Sequence, residues 1–417
     1  MKRLNYIDLF AGAGGLSEGF IRAGFNPIAH VEMNKDACDT LKTRAAYHWL
    51  KENGKEGVGI YHNYLKSEIK NKKELWSKIP ENLINSVINK EISEDTLPEI
   101  FEIIDEELGN KNVDLIVGGP PCQAYSIAGR ARKNMENDPR NYLYKYYVKF
   151  LEKYQPKMFV FENVLGILSA KNGEYLEKIL EAVRSIGYQV EAPPKKYLNA
   201  KDFGVLQDRK RVIIIGWKKE LNLNYPEFEK MENNFEILND LFSDLKPLKN
   251  GEGTMNTIEY SDITTEYLKT SKIRNGLDFV TQHITRPNNE NDLEIYQIAV
   301  DEWNKGKRLN YANLPKRLIK HSNTKSFFNR FQVVNGKGIS HTVVAHIAMD
   351  GHYYIHPDIK QNRSISVREA ARIQSFPDDY FFEGSRTAIF KQIGNAVPPL
   401  MAEKIAEKIK VMIWKNT

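Results

Sequence analysis

The 417-residue chain contains only two cysteines, Cys38 and Cys122, and no Cys-x-x-Cys pair. Two thiols cannot staple a disulfide scaffold or supply a cysteine-rich zinc site. His352 and His356 have helical ligand spacing, but "HYYIH" reads as a strand and lacks a third ligand, so both are structural and no metal is expected. Long apolar runs are also missing. None approaches the ~20 residues that span a bilayer, and no basic, apolar, small-residue leader opens the chain, so the expected location is the cytoplasm without a membrane partner. Composition is otherwise ordinary for a soluble protein, at 41% hydrophobic and 27% charged residues, and the length suggests two domains.

One stretch lacks a charge sign altogether. Residues 303–349 carry nine Lys/Arg, including Lys316, Arg317 and Lys320, and no carboxylate, whereas 226–302 carry 7 Lys/Arg against 16 Asp/Glu. A solvated face would account for a short run of this kind. This one is long and interleaved with Trp303, Tyr311, Phe327, Phe328 and Phe331, which suits a nucleic-acid groove with cations for phosphates beside aromatics and amides for base edges. The acidic stretch is expected to face away from it.

Four apolar runs read as buried strands that end in chemistry. "YIDLF" leads into a turn with Gly12, Gly14 and Gly15 and a helix that opens near Gly15, where bare backbone and free N–H groups can approach a ligand. Ser17 stands where a dinucleotide fingerprint would have its third glycine. "NPIAHVEM" ends at Glu32, a carboxylate able to accept ribose hydroxyls, with Met33 placed to lie against an adenine. "VDLIV" stops at glycines, and Pro120 and Pro121 then set a rigid exit that aims Cys122. "MFVFENV" ends at Glu162, and "QDRKR" sets Gln207, Arg209 and Arg211 just before a further strand. On a parallel sheet these ends are expected to face one crevice.

Taken in order, these segments resemble the DNA (cytosine-5)-methyltransferases. "DLFAGAGG" is similar to the family's S-adenosylmethionine loop, "GGPPCQAYS" to its nucleophile motif, "ENV" to its glutamate motif and "QDRKR" to its Gln-x-Arg-x-Arg motif. "REAARIQSFPDDY" and "GNAVPP" are similar to its two C-terminal motifs. Leu206 departs from the proline common before the glutamine, and the third-strand carboxylate is best matched by Glu91, with Ile92 beside it. The resemblance implies an α/β fold: a Rossmann-like S-adenosylmethionine-dependent methyltransferase sheet with a smaller DNA-recognition domain. The catalytic domain is expected over 1–222 plus 385–417 and the recognition domain over 223–384.

The implied cofactor is S-adenosylmethionine, held by Phe10, Ala11, Gly12, Gly14, Gly15, Leu16, Glu32, Met33, Glu91, Ile92, Pro120, Leu143, Asn395 and Val397. The implied catalytic set is Cys122, Glu162, Arg209 and Arg211. A thiolate must add at C6 of cytosine before C5 can attack a methyl sulfonium. Because a free thiol is only about 3% ionised at pH 7, the arginines are plausible sources of the positive charge it needs. Glu162 then serves N3 and Arg211 serves O2. Such an adduct requires a flipped base. The segment after Cys122 reads as a mobile loop that closes over DNA, and Gln123, Ser126, Arg130, Arg132 and Gln207 join Lys316, Arg317 and Lys320 as expected DNA contacts. The implied partner is double-stranded DNA, in a restriction-modification or phage-defence setting with a cognate endonuclease or defence proteins, and a monomer is expected. The first strand begins at Tyr6 with no extension before it, which points to a bacterial or phage enzyme. Three alternatives stay open. A transfer-RNA methyltransferase would need a further cysteine, a non-catalytic paralogue should lack Cys122, Glu162 or Arg211, and a nicotinamide oxidoreductase leaves "PPCQ" and "QDRKR" without a role.

Overall fold

The computed structural model describes residues 3–121, 142–193, 196–261, 264–320 and 329–415. The first part of the chain alternates strands and helices. It runs β1 (Asn5–Leu9), α1 (Gly15–Arg22), β2 (Asn26–Glu32), α2 (Lys35–Glu52), α3 (Gly54–Leu65), α4 (Lys72–Trp76), α5 (Glu81–Asn85), β3 (Val87–Asn89), α6 (Leu97–Leu108) and β4 (Leu115–Gly118). It continues through α7 (Leu143–Tyr154), β5 (Met158–Asn163), α8 (Glu174–Ser185), β6 (Tyr188–Glu191), β7 (Leu198–Asn199), β8 (Gln207–Asp208) and β9 (Lys210–Lys218).

Among the described residues one sheet has eight strands, in the order β3-β2-β1-β4-β5-β9-β6, with β7 also paired to β9. Strands β3, β2, β1, β4 and β5 are parallel, and the path reverses direction between β1 and β4. That reversal point is where open α/β sheets hold ligands. Alternate residues feed two apolar layers, as the two-residue repeat of a strand requires. Ile7, Ile116, Phe159 and Ile214 pack under α6, α7 and α8. Tyr6, Leu115, Val160 and Trp217 pack under α1 and the last helix, α13 (Pro399–Trp414). At the α1–α13 crossing a Cβ on Gly19 would lie 2.4 Å from Ala402 Cβ, so glycine is what lets the two helices close.

The sheet is not wholly parallel as expected. β9 runs antiparallel to both β5 and β6. The difference matters, because residues just before a strand of a parallel sheet lie at the edge opposite the crevice. Reversal brings the start of β9 beside the end of β5, with Asn163 opposite Val212 and Glu162 opposite Ile213.

Residues 223–384, expected as the recognition domain, carry short elements. They include β10 (Thr257–Glu259), α9 (Glu266–Thr270), β11 (Phe279–Thr281), α10 (Glu290–Asn304), β12 (Ser340–His341) and α11 (Val367–Ile373), and α12 (Arg386–Asn395) follows. Ser366 and Glu369 cap α11 reciprocally, and buried charges of the same helix clasp this part of the chain together. Arg372 donates to Asp244 at 2.5 Å and to Asp378 at 2.6 Å. The lysine-rich segment 43–85, unassigned from sequence, forms helices whose apolar side (Tyr61, Leu65, Leu75) packs on Leu277 and Phe279. "HYYIH" is not a strand but makes isolated bridges through Ile355, and His352 and His356 have different partners: Tyr296 for the first, the Asp358 backbone N–H for the second.

Candidate active site

The ends of β1, β2, β4 and β5 open on one edge, and side-chain hydrogen bonds tie them together. After β1, Phe10 has φ 57°, Gly12 56° and Gly14 78°, so the chain turns sharply before α1 begins. A Cβ on Gly12 would meet nothing within 4 Å, so the turn faces open space there. Ala11 packs against Leu41, and Leu16 is buried against the sheet. Glu32 reaches the turn from β2: its Oε2 accepts from Gly12 N–H at 2.9 Å and its Oε1 from Asn34 N–H at 2.7 Å. Burial raises the Glu32 pKa, opposed by those N–H groups. Met33 beside it is 62% exposed, which is unusual for an apolar side chain and leaves its thioether available to a flat ligand.

Asn89, which sequence reasoning did not single out, ends β3 and donates to the carbonyls of Glu32 (3.1 Å) and Met33 (2.9 Å). Glu91 follows it and is exposed, while Ile92 is buried in the sheet core. From the other side, Val397 lies against the turn: a Cβ on Gly15 would come within 2.3 Å of its carbonyl. Asn395, at the end of α12, is exposed. Leu143 is half-buried at the start of α7.

The chemistry-bearing pair stands one strand further along. Arg211 Nε forms an ion pair with Glu162 Oε1 at 2.7 Å, and the two side chains are only 10% and 14% exposed. Arg211 Nη1 donates to Lys210 O, and burial lowers its pKa against the pull of Glu162. Among the described residues Arg211 Nη2 and Glu162 Oε2 make no hydrogen bond. Gly119 makes room for them, since a Cβ there would lie 2.6 Å from Glu162 Oε2. Asn163, a second residue missed from the sequence, donates to Pro120 O at 3.1 Å and so locks the end of β5 to the proline exit of β4. Cys122, Gln123, Ser126, Arg130 and Arg132 lie outside the described residues.

Three sequence expectations change. Arg209 is fully buried away from the open edge and donates to Val343 O (2.5 Å), Gly394 O (3.0 Å) and Ala396 O (2.8 Å), so it pins α12 and the segment after β12 rather than facing a reactant. Gln207 is buried too: it donates to Ile373 O and Gln374 Oε1 and accepts from Val343 N–H, which leaves nothing for DNA. The charge segregation is incomplete, because Glu294 of the acidic stretch makes a two-pronged pair with Arg317. Lys316 and Lys320 are exposed. Two of the aromatics of that region, Tyr311 and Phe331, turn inward, buried and stacked 5.9 Å apart, while Phe327 and Phe328 lie outside the described residues. Among the described residues no His, Cys, Asp and Glu group suits a metal ion, and no helix is long and apolar enough to cross a membrane.

A family model described as C-5 cytosine-specific DNA methylase matches residues 4–71 and 52–411. The chain is 43% identical to the type II methyltransferase M.Bpa9945I of Bacillus paralicheniformis, over 98% of both chains. It is 31% identical to the type II methyltransferase M1.HphI of Haemophilus parahaemolyticus, over 98% of this chain and 87% of that one. Its fold is similar to the crystal structure of an E. coli prophage-encoded DNA modification methyltransferase, with a TM-score of 0.62 at 22% identity, over 98% of this chain and 99% of the other.

Proposed function

Because the chain belongs to the C-5 cytosine-specific DNA methylases and resembles type II methyltransferases over its whole length, we propose that it methylates C5 of a flipped-out cytosine in a specific duplex sequence through a covalent Cys122 adduct. The observation that carries this reading is the buried Glu162–Arg211 pair beside the Gly119–Pro120 exit. Cytosine presents O2, N3 and the 4-amino group along one edge. Arg211 Nη2 can donate to O2 while Glu162 shares a proton at N3, so charge that builds on the ring during addition at C6 meets preplaced partners. In this reading the Cys122 thiolate adds at C6, C5 takes the methyl group, and loss of the C5 proton then expels the thiolate by β-elimination.

S-adenosylmethionine fits the turn on this structure's own terms. Gly12 faces open space, Glu32 offers carboxylate oxygens at the rim, Met33 is exposed, and the start of α1 supplies N–H groups. Glu32 and Met33 would hold the nucleoside, with Glu91, Ile92, Leu143, Asn395 and Val397 around it. When bound, the cofactor supplies an electrophilic methyl group. Residues 223–384 are the DNA-recognition domain, and Lys316 and Lys320 contact phosphates. Duplex DNA is the substrate, a restriction endonuclease or defence proteins are the partners, and the enzyme acts as a cytoplasmic monomer.

Bisulfite sequencing of plasmid from expressing cells tests activity and target together. Cys122→Ala should abolish the modification and the denaturation-resistant adduct with 5-fluorocytosine DNA, while binding of DNA and cofactor persists. An adduct formed by the alanine variant would remove Cys122 from the mechanism.

A further inference from the structure

One peptide unit of the glycine turn is held at both of its polar atoms. Gly14 N–H donates to Ala11 O at 3.0 Å, within the turn itself. The carbonyl of the same unit, Ala13 O, accepts from the Tyr380 hydroxyl at 2.5 Å, across 367 positions of sequence. A Cβ on Gly14 would lie 2.9 Å from that hydroxyl, so Tyr380 occupies the space a side chain at 14 would need. Glycine on one side of a peptide unit lets it rotate cheaply, so an outside anchor is what decides its orientation.

The anchor is rigid. Tyr380 is 1% exposed, Phe376 and Phe382 pack on its ring with centroids 4.7 and 5.1 Å away, and the Arg44 guanidinium sits 4.7 Å from its centroid. Arg44 is itself fixed by two N–H bonds to Glu18 of α1, at 2.8 and 2.7 Å, and by two to Asp379, at 2.9 Å to its carboxylate and 3.2 Å to its carbonyl. The hydroxyl therefore cannot drift from the turn without unseating charged groups that are also buried.

We propose that Tyr380 is a positioning residue for the cofactor turn: its hydroxyl holds the Ala13–Gly14 peptide in the orientation that admits S-adenosylmethionine. The proposal rests on the reading of that turn as the cofactor site. Loss of the hydroxyl leaves the packed ring in place but lets the turn populate closed orientations, and apparent affinity falls by the fraction of open molecules.

The test is Tyr380→Phe against Tyr61→Phe in the full-length protein. Tyr61 donates to Asp379 O at 2.8 Å and is equally buried; it shares that acceptor with Arg44 but makes no hydrogen bond to the turn, so it removes a comparable buried hydroxyl from the same surroundings. Calorimetric titration with S-adenosylmethionine should show a roughly three- to tenfold higher Kd for Tyr380→Phe, matched in KM, with kcat within about twofold of wild type. Tyr61→Phe should bind as wild type does. Equal affinity in all three proteins, or equal loss in both variants, overturns the proposal. A wild type that takes no cofactor fails differently, since it removes the reading of the turn and the proposal with it.

Discussion

If the 303–349 segment is the DNA face, its cations should not count equally, because the structure pairs one of them. Lys316 and Lys320 are exposed and have no carboxylate partner among the described residues, whereas Arg317 spends its guanidinium on Glu294. Each phosphate neutralised steepens the log–log salt dependence of binding by about 0.9. Replacing Lys316 and Lys320 with Gln should therefore flatten the slope by about 1.8. Over a fourfold change in salt that difference is roughly 12-fold in affinity, expected alike for a cognate and a scrambled duplex because phosphates carry no sequence. Arg317→Gln alone should flatten it by less than half a unit, and Glu294→Gln should steepen it by up to about 0.9 by releasing the arginine. The assay is fluorescence anisotropy from about 50 to 200 mM salt, the range over which the counterion effect is large. An unchanged slope in the double lysine variant refutes the assignment of this face. An Arg317→Gln effect as large as that of either lysine would mean instead that DNA displaces Glu294, as the weakness of exposed ion pairs allows.

Three further outcomes follow from the site and its surroundings. Glu32→Ala should raise the S-adenosylmethionine Kd by at least ~10-fold by calorimetry, since a charge-assisted contact is worth about 1.5–3 kcal/mol, and an unchanged value would remove the ribose reading of β2. Gly119→Ala should cut kcat about 10- to 100-fold with the fold retained by circular dichroism, because its Cβ would lie 2.6 Å from Glu162 Oε2, and near-normal turnover would show that the carboxylate need not stand there. Burial lowers His30 and His356 to a pKa of about 4. The unfolded chain then binds more protons between about pH 6.5 and 4, so their contribution is intact above 6.5 and is lost as pH falls, by up to about 2 kcal/mol each at pH 5. Urea midpoints at pH 7 and pH 5 check this, and a midpoint that does not move would refute it.

Much of this was legible in the chain because strand, turn and chemistry are contiguous in it. "DLFAGAGG" gives a strand, three glycines and a helix start in one reading, and β1, the turn and α1 fall there. Pairing across distance was not legible. Nothing in "KRVIIIGWK" says that β9 runs against its neighbour, and only that reversal puts Arg211 beside Glu162. Arg209 and Arg211 look alike in "QDRKR", yet the two-residue repeat of the backbone does not tell which guanidinium meets three carbonyls and which meets a carboxylate. Tyr311 and Phe331 read as base-stacking partners from their basic neighbours but complete a small core with α10 instead, since aromatic burial outweighs local composition. The helices of 43–85 lacked a visible purpose because their partners, Leu277 and Phe279, lie some two hundred residues away.

The antiparallel seam between β5 and β9 also bears on how such a chain can change over generations. Glu162 and Arg211 are spaced by a ladder of backbone hydrogen bonds, with Asn163 opposite Val212, and not by the 48 residues that lie between them in sequence. Insertions or deletions in the surface portions of that connection leave the ladder, and hence the pair, where it is. Slipping the seam by a single residue would turn Glu162 or Arg211 to the opposite face of the sheet. Descendants of this chain are therefore free to vary the length of the excursion between the two strands, while the pairing of the strands themselves admits no such drift.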